Sequence, residues 1–251
     1  MNTTEVTSIM PTSDTRSRHK NQEFISERTL TLPFPSNDIT IKCYNFQLAK
    51  YQNKLFSEFT IPLPESIENA VPKRQAEFLA GRYSAISALK ALGLSCNNIA
   101  IGKNRNPVWP RSIIASITHT TTTSICAASY KDSYLYLGID IEYIIPTKLV
   151  TEIKSYIINI DEEVILRKCS LNFLEAFTLT FSAKESLFKA LYPSVGYYFD
   201  FSAANITQVN SANNSFILVL TKDLTAELTA GIEFTGFFDC IEQQILTLIA
   251  Q

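Results

Sequence analysis

Two helix-like segments separate three groups of strand-like segments, and that order limits the fold more than any other feature of the chain. Residues 72–94, PKRQAEFLAGRYSAISALKALGL, place Pro72 in a first turn and Gly93 just past a helix end. Residues 175–193, EAFTLTFSAKESLFKALYP, contain a second predicted helix, stopped by Pro193. DITIKCYNF (38–46) alternates like a strand before the first helix. IIASITHTTTTSICAASY and SYLYLGIDIEYI lie between the helices, and NSFILVLT and GIEFTGFFDC follow the second. Their Ile, Val, Thr, Tyr and Phe content favours strands. Helices and strands do not alternate one by one, so the expected class is α+β rather than a doubly wound parallel sheet.

The chain has 251 residues, enough for one large or two small cores. Its formal net charge of −2 gives no basic field for nucleic acid or an acidic membrane. A polyanion would need a local cationic cluster. Five cysteines (Cys43, Cys96, Cys126, Cys169 and Cys240) are scattered without a CxxC pair, which suits a reducing cytoplasm and not a zinc or disulfide framework. No apolar run reaches the ~18 residues of a membrane span. The Thr-, Ser- and Asn-rich start lacks a signal-peptide core, and residues 1–25 are expected to form a mobile tail. A turn near Asp132–Ser133 would divide the remainder into halves at 26–137 and 138–251.

Within GIDIE, side chains at alternate positions share a face of a strand, so Asp140 and Glu142 face together and Ile139 and Ile141 face away. Paired carboxylates repel unless a cation or proton intervenes. They suit either Mg²⁺, which takes one or two protein carboxylates with water and phosphate oxygens, or a solvated strand face. In FSAKESLFKAL, Ser182 and Glu185 fit an S-x-x-E capping box, and Glu185 and Lys189 an i,i+4 pair. Lys184 has no local explanation. Arg74 and Arg82 project within ~80° of each other on the first helix. They read either as an anion site or as side chains lying along a solvated face. Gly81 beside Arg82 suggests that something approaches the backbone there. Asn104, Arg105, Asn106 and Pro107 form a turn signal, and His119 ends a Thr-rich strand. The other histidine, His19, lies in the tail, which rules out a three-histidine metal site. No GxGxxG or P-loop pattern occurs among the seven glycines.

Taken in order, RQAEFLAGRYSA, NRNPVWP, SITHT, GIDIE, FSAKESLFKAL and FDFSAANI resemble the 4′-phosphopantetheinyl transferases, in the branch that includes enterobactin synthetase component D. The resemblance spans roughly residues 70–206. It departs from the family at Ala115, where Gly is common, and at Arg111, and it says little about residues 1–69.

The resemblance implies two similar α/β halves related by a pseudo-twofold, with coenzyme A in the cleft between them. It implies transfer of 4′-phosphopantetheine from coenzyme A to a serine of an apo-carrier protein. By the same resemblance, Asp140, Glu142 and Glu185 hold Mg²⁺. Glu185 would serve in the metal site, directly or through water, as the base, or as both, and Lys184 and Lys189 would stabilise transition-state charge. Arg74, Arg82, Asn104, Arg105, Asn106, Pro107, Thr118 and His119, with Asp140, Glu185 and Lys189, bind coenzyme A. The expected carriers are the aryl or peptidyl carriers of siderophore or other nonribosomal peptide synthesis, met by a cytoplasmic monomer. A Mg²⁺-dependent nucleotide phosphohydrolase would use the same acids and lysines with water in place of the serine. A non-catalytic carrier-binding module would not need them.

Overall fold

The computed structural model describes residues 24–30 and 38–251. Residues 1–23, nearly all of the expected tail, lie outside the described residues. Phe24 and Ile25, which the sequence reading put in that tail, are buried in a hydrophobic core.

The elements run β1 (Ile25–Arg28), β2 (Thr40–Phe46), α1 (Leu55–Glu58), α2 (Glu65–Glu68), α3 (Pro72–Ala91), β3 (Ala100–Ile101), β4 (Pro107–Val108), β5 (Ile113–His119) and β6 (Thr123–Tyr130). They continue with β7 (Leu137–Tyr143), α4 (Thr147–Ile157), α5 (Ile160–Lys168), α6 (Phe173–Val195), β8 (Ala204–Asn210), β9 (Ser215–Leu220), β10 (Glu233–Ile241) and β11 (Gln244–Ala250). One antiparallel sheet has the order β1-β2-β6-β5 and a second the order β7-β11-β10-β9-β8. The mixed, non-alternating α+β class expected from the sequence is the class observed. The boundary expected at 137/138 falls between the first two residues of β7.

Each sheet carries one long helix. Leu79, Ala80, Ala88 and Leu89 of α3 share a core with Ile113, Cys126 and Ala128 of the first sheet. Phe177, Leu179, Ala183, Leu187 and Leu191 of α6 share another with Phe216, Phe234, Ile245 and Ile249. A third core joins the remaining faces of the two sheets: Ile125 and Ala127 meet Leu137, Ile139, Ile141, Leu246 and Leu248. The period-2 alternation of strands makes this possible, since β6 and β11 each offer one apolar set to either side. The odd-numbered isoleucines of β7 therefore turn toward the first sheet. Gly138, Asp140 and Glu142 turn toward α6. A Cβ at Gly138 would lie 1.9 Å from the Ser186 carbonyl oxygen, so the absence of a side chain there lets α6 lie close on β7.

Two expectations about α6 are corrected. Ser182 does not cap a helix. The helix begins nine residues earlier at Phe173, and its capping box is Asn172 with Glu175, each side chain bonding the other's backbone N–H at 3.0–3.1 Å. Ser182 is buried mid-helix and shares a hydrogen bond of 2.9 Å with Thr247 Oγ1. Pro193 does not stop the helix either. It sits within the last turn, and Gly196 at φ 76° ends the helix. Among the described residues no helix is long and apolar enough to cross a membrane.

Candidate active site

Three of the sequence-selected acids and one lysine converge where α6 crosses β7. The close approach at Gly138 lets Lys189, one turn beyond Glu185, reach back to the strand. Its Nζ donates to Asp140 Oδ1 at 2.6 Å and to the Ile139 carbonyl at 3.2 Å. The expected Glu185–Lys189 pair is thus replaced by a Lys189–Asp140 ion pair. Thr118 Oγ1, from the neighbouring edge strand β5, donates to the same Asp140 oxygen at 3.0 Å. Asp140 is 3% exposed, and its Oδ2 is buried without a hydrogen-bond partner.

The half-buried Glu142 and Glu185 complete the acidic group. Burial pushes the Glu142 carboxyl up to about 7, with the Asp140 and Glu185 charges adding to the rise and Lys189 opposing it. Burial, then Asp140, raises Glu185 likewise. Three acids crowded around one lysine are short of positive charge. Among the described residues, no three His, Cys, Asp or Glu side chains are grouped as a ready metal cage. The arrangement fits Mg²⁺, which needs only one or two carboxylates and fills its octahedron with water and phosphate oxygens. Asp140 Oδ2 is the orphaned oxygen that a cation would satisfy.

A cationic group lies beside the acids. Arg74 Nη1 approaches His119 Nε2 to 3.4 Å. Burial pushes the His119 imidazole below its usual value; nearby Glu77 opposes this, and Arg74 and Lys189 add to it. Arg82 is 7% exposed and stacks on Phe78 at 4.7 Å. Burial lowers its guanidinium to about 10, with Arg74 contributing. Its Nε has no hydrogen-bond partner. A buried arginine with an idle donor and a cationic neighbour is suited to an anion, since guanidinium forks match phosphate geometry. A Cβ at Gly81 beside it would meet only the Ile117 side chain, at 3.4 Å, an ordinary contact, so packing within the protein does not by itself require a glycine there.

A cleft of about 1180 Å³ opens between edge strand β5 and the C-terminal turns of α6. Asn104, Arg105, Asn106 and Pro107 line it from the tip of the β3–β4 hairpin, where Arg105 holds a left-handed φ of 64°. Lys189 lines it from α6. Arg74, Arg82 and His119 stand outside its lining.

Lys184 does not join the site. It is buried in an ion pair with Glu162 at 2.7 Å and donates to the carbonyls of Ile157 and Phe201. Thr118 is also committed, to Asp140 and to the Ile141 N–H. Sequence reasoning missed Glu77, which lies 4.0 Å from Arg74 at i,i+3 spacing, a signal that was readable. It also missed the aromatic wall of the cleft, Tyr192, Tyr197 and Tyr198 with Phe188. The run GYYF just past the second helix was its only trace.

Known protein families match both halves of the chain. The family described as 4′-phosphopantetheinyl transferase N-terminal domain matches residues 63–129, and the 4′-phosphopantetheinyl transferase superfamily matches residues 136–237. The chain is 38% identical over 175 residues to enterobactin synthase component D of Salmonella typhi, covering 69% of this chain and 72% of that protein. It is 34% identical over 188 residues to the protein of the same name from Salmonella typhimurium, covering 75% and 76%. It is 30% identical over 192 residues to 4′-phosphopantetheinyl transferase Npt of Nocardia iowensis, covering 73% and 85%. With both halves matched and aligned in order across most of each relative, the chain belongs to the 4′-phosphopantetheinyl transferase superfamily, in the branch of enterobactin synthase component D.

Proposed function

We propose that this protein transfers 4′-phosphopantetheine from coenzyme A to a serine hydroxyl of an apo-carrier protein, releasing adenosine 3′,5′-bisphosphate. The observation that carries this reading is the charge-deficient group of Asp140, Glu142 and Glu185 around Lys189, set beside the arginine–histidine cluster. The natural carriers are the aryl or peptidyl carriers of siderophore or other nonribosomal peptide synthesis. The enzyme acts as a cytoplasmic monomer.

Coenzyme A occupies the cleft between the halves. Arg74, Arg82 and His119 bind its 3′-phosphate, which carries roughly −1.5 to −2 charge if it behaves like other phosphomonoesters. The hairpin 104–107 bounds the nucleotide. Asp140 and Glu142, with Glu185 directly or through water, hold Mg²⁺, which supplies neutralisation of pyrophosphate charge as the leaving oxygen becomes anionic.

The residues of the chain do the rest. The carrier serine oxygen forms a bond to the pantetheine-side phosphorus as the pyrophosphate P–O bond breaks. Glu185 takes the serine proton. Its raised pKa suits the task, because a base works best with a pKa near the working pH. Lys189 offers N–H donors to negative charge on the reacting phosphate while it holds Asp140 in place. Lys184 has a different part: its buried pair with Glu162 ties α6 to α5 and so fixes the helix that carries Glu185 and Lys189.

The experiment is to follow release of adenosine 3′,5′-bisphosphate from coenzyme A with and without apo-carrier. Release only when carrier is present is the expected result. Equal release without carrier would replace the transferase reading with a hydrolase.

A further inference from the structure

The Asp140 carboxylate is held unevenly. Oδ1 accepts two donors, the Lys189 ammonium at 2.6 Å and the Thr118 hydroxyl at 3.0 Å, and Oδ2 accepts none. Thr118 is 3% exposed, and its oxygen also accepts the Ile141 backbone N–H at 3.2 Å. A hydroxyl has one proton to give. With an oxygen lone pair turned to the Ile141 N–H, that proton goes to Asp140 Oδ1. Rotating the hydroxyl would leave a buried donor or a buried carboxylate oxygen short of its partner, and both are costly. Ser116, two residues earlier on the same face of β5, accepts the Ile139 N–H at 3.2 Å. β5 and β7 belong to different sheets, so these two hydroxyls, rather than a backbone ladder, fix the register between them.

The family resemblance would place Thr118 against coenzyme A. The hydroxyl is already fully engaged elsewhere. We propose that Thr118 is the positioning residue of the cation site: it fixes the Asp140 carboxylate so that Oδ2 alone is offered to a divalent cation. This rests on reading Asp140 as a ligand of that cation. Asp140, Glu142, Glu185 and Lys189 all come from β7 and α6, so Thr118 is the hydroxyl through which the first sheet helps to shape their site. Its neighbour His119 lies on the same strand, and one displacement of β5 therefore moves the anion-binding imidazole and the carboxylate-orienting hydroxyl together.

The test compares wild type with Thr118→Val, which keeps the shape and removes the hydroxyl, and Thr118→Ser, which keeps the hydroxyl. Mn²⁺ affinity is read from the free-ion electron paramagnetic resonance signal in the presence of coenzyme A. Coenzyme A affinity is read separately by calorimetry in EDTA. Groups that orient a metal ligand are typically worth about 10–100-fold in affinity. Thr118→Val is expected to weaken Mn²⁺ by that factor and to leave coenzyme A affinity in EDTA unchanged, with Thr118→Ser close to wild type. Should Thr118→Val fail to melt cooperatively, Thr118→Ala is read in its place, with the same loss expected. Unchanged Mn²⁺ affinity in the variant lacking the hydroxyl overturns the assignment. So does a loss of coenzyme A affinity in EDTA that matches the loss of Mn²⁺, which would return Thr118 to direct contact with coenzyme A. If wild type itself binds no Mn²⁺, the reading of Asp140 as a metal ligand fails, and Thr118 falls with it.

Discussion

Glu185 stands at the centre of the proposed chemistry, and its place on α6 makes that role separable from stability. The helix is capped by Asn172 and Glu175, so Glu185→Gln removes a charge and no cap. The expected outcome is a folded protein with an unchanged melting temperature and a kcat lowered about 10²–10⁴-fold, the usual worth of a general base. Near-normal kcat would take Glu185 out of the reaction. Glu142 allows a second test, by pH. Its carboxyl is raised to about 7 in the fold, from an ordinary value of 4.5. A carboxyl raised on folding adds stability below its unfolded value and loses it as pH rises through the folded one. Asp140, Glu185 and Lys189 face it. His119, pushed below 6.5, works the other way and loses stability as pH falls. The measurement is therefore the difference in melting temperature between wild type and Glu142→Gln in EDTA. Wild type should lose ground between about pH 5 and pH 7.5, and Mg²⁺ with coenzyme A should restore it. A difference that stays flat with pH would remove the crowding of acids inferred here.

At the scale of elements, the contact between β7 and α6 is the joint on which the site depends. Gly138→Ala forces a methyl group against the Ser186 carbonyl, so helix and strand must separate. Overpacking of this kind costs about 1–3 kcal/mol. The prediction is a lower melting temperature together with a lower kcat, because Lys189 and Glu185 ride on the displaced helix. A variant with full activity would mean that the joint is looser than it looks. The two faces of β7 were legible in GIDIE, because strand period alone decides them. The start of α6 was not, because Ser182-x-x-Glu185 and Asn172-x-x-Glu175 satisfy the same local pattern. What separates them is the apolar stretch Phe173–Phe177, which extends the helix N-terminal of Ser182. Two short helices, α4 and α5, went unread for want of a strong start signal other than Asn159 with Glu162. Strand β11 went unread because QILTLIA, apolar apart from Gln244 and Thr247, lacks the regular alternation of a half-buried strand, as expected of a strand flanked on both edges by β7 and β10. Lys184 looked unpartnered because Glu162 lies on another helix, and no local rule reaches that far.

Across the whole molecule, the proposed phosphate grip and the proposed chemistry come from different sheets. Arg74, Arg82 and His119 belong to α3 and β5, and the acids and Lys189 to β7 and α6. Groups that hold a phosphate equally charged in ground and transition states affect KM more than kcat. Arg82→Ala and His119→Ala should therefore raise the KM for coenzyme A about tenfold or more, the worth of a charged hydrogen bond, with kcat little changed. Dephospho-coenzyme A, which lacks the 3′-phosphate, should show the same weakness with wild type and no further loss with the variants. An unchanged KM would detach this cluster from coenzyme A. The family resemblance carried by the ordered motifs was enough to suggest that two halves meet. It could not show that the hydroxyl of Thr118 crosses from one sheet to the other, since that contact exists only once both sheets have packed. The central claim is transfer to a carrier, and intact mass spectrometry of a panel of apo-carriers incubated with the protein, coenzyme A and Mg²⁺ reads it directly. The account predicts that at least one aryl or peptidyl carrier gains a single phosphopantetheine on its serine, and that EDTA abolishes the gain. A panel that stays at apo mass while coenzyme A is consumed would contradict it.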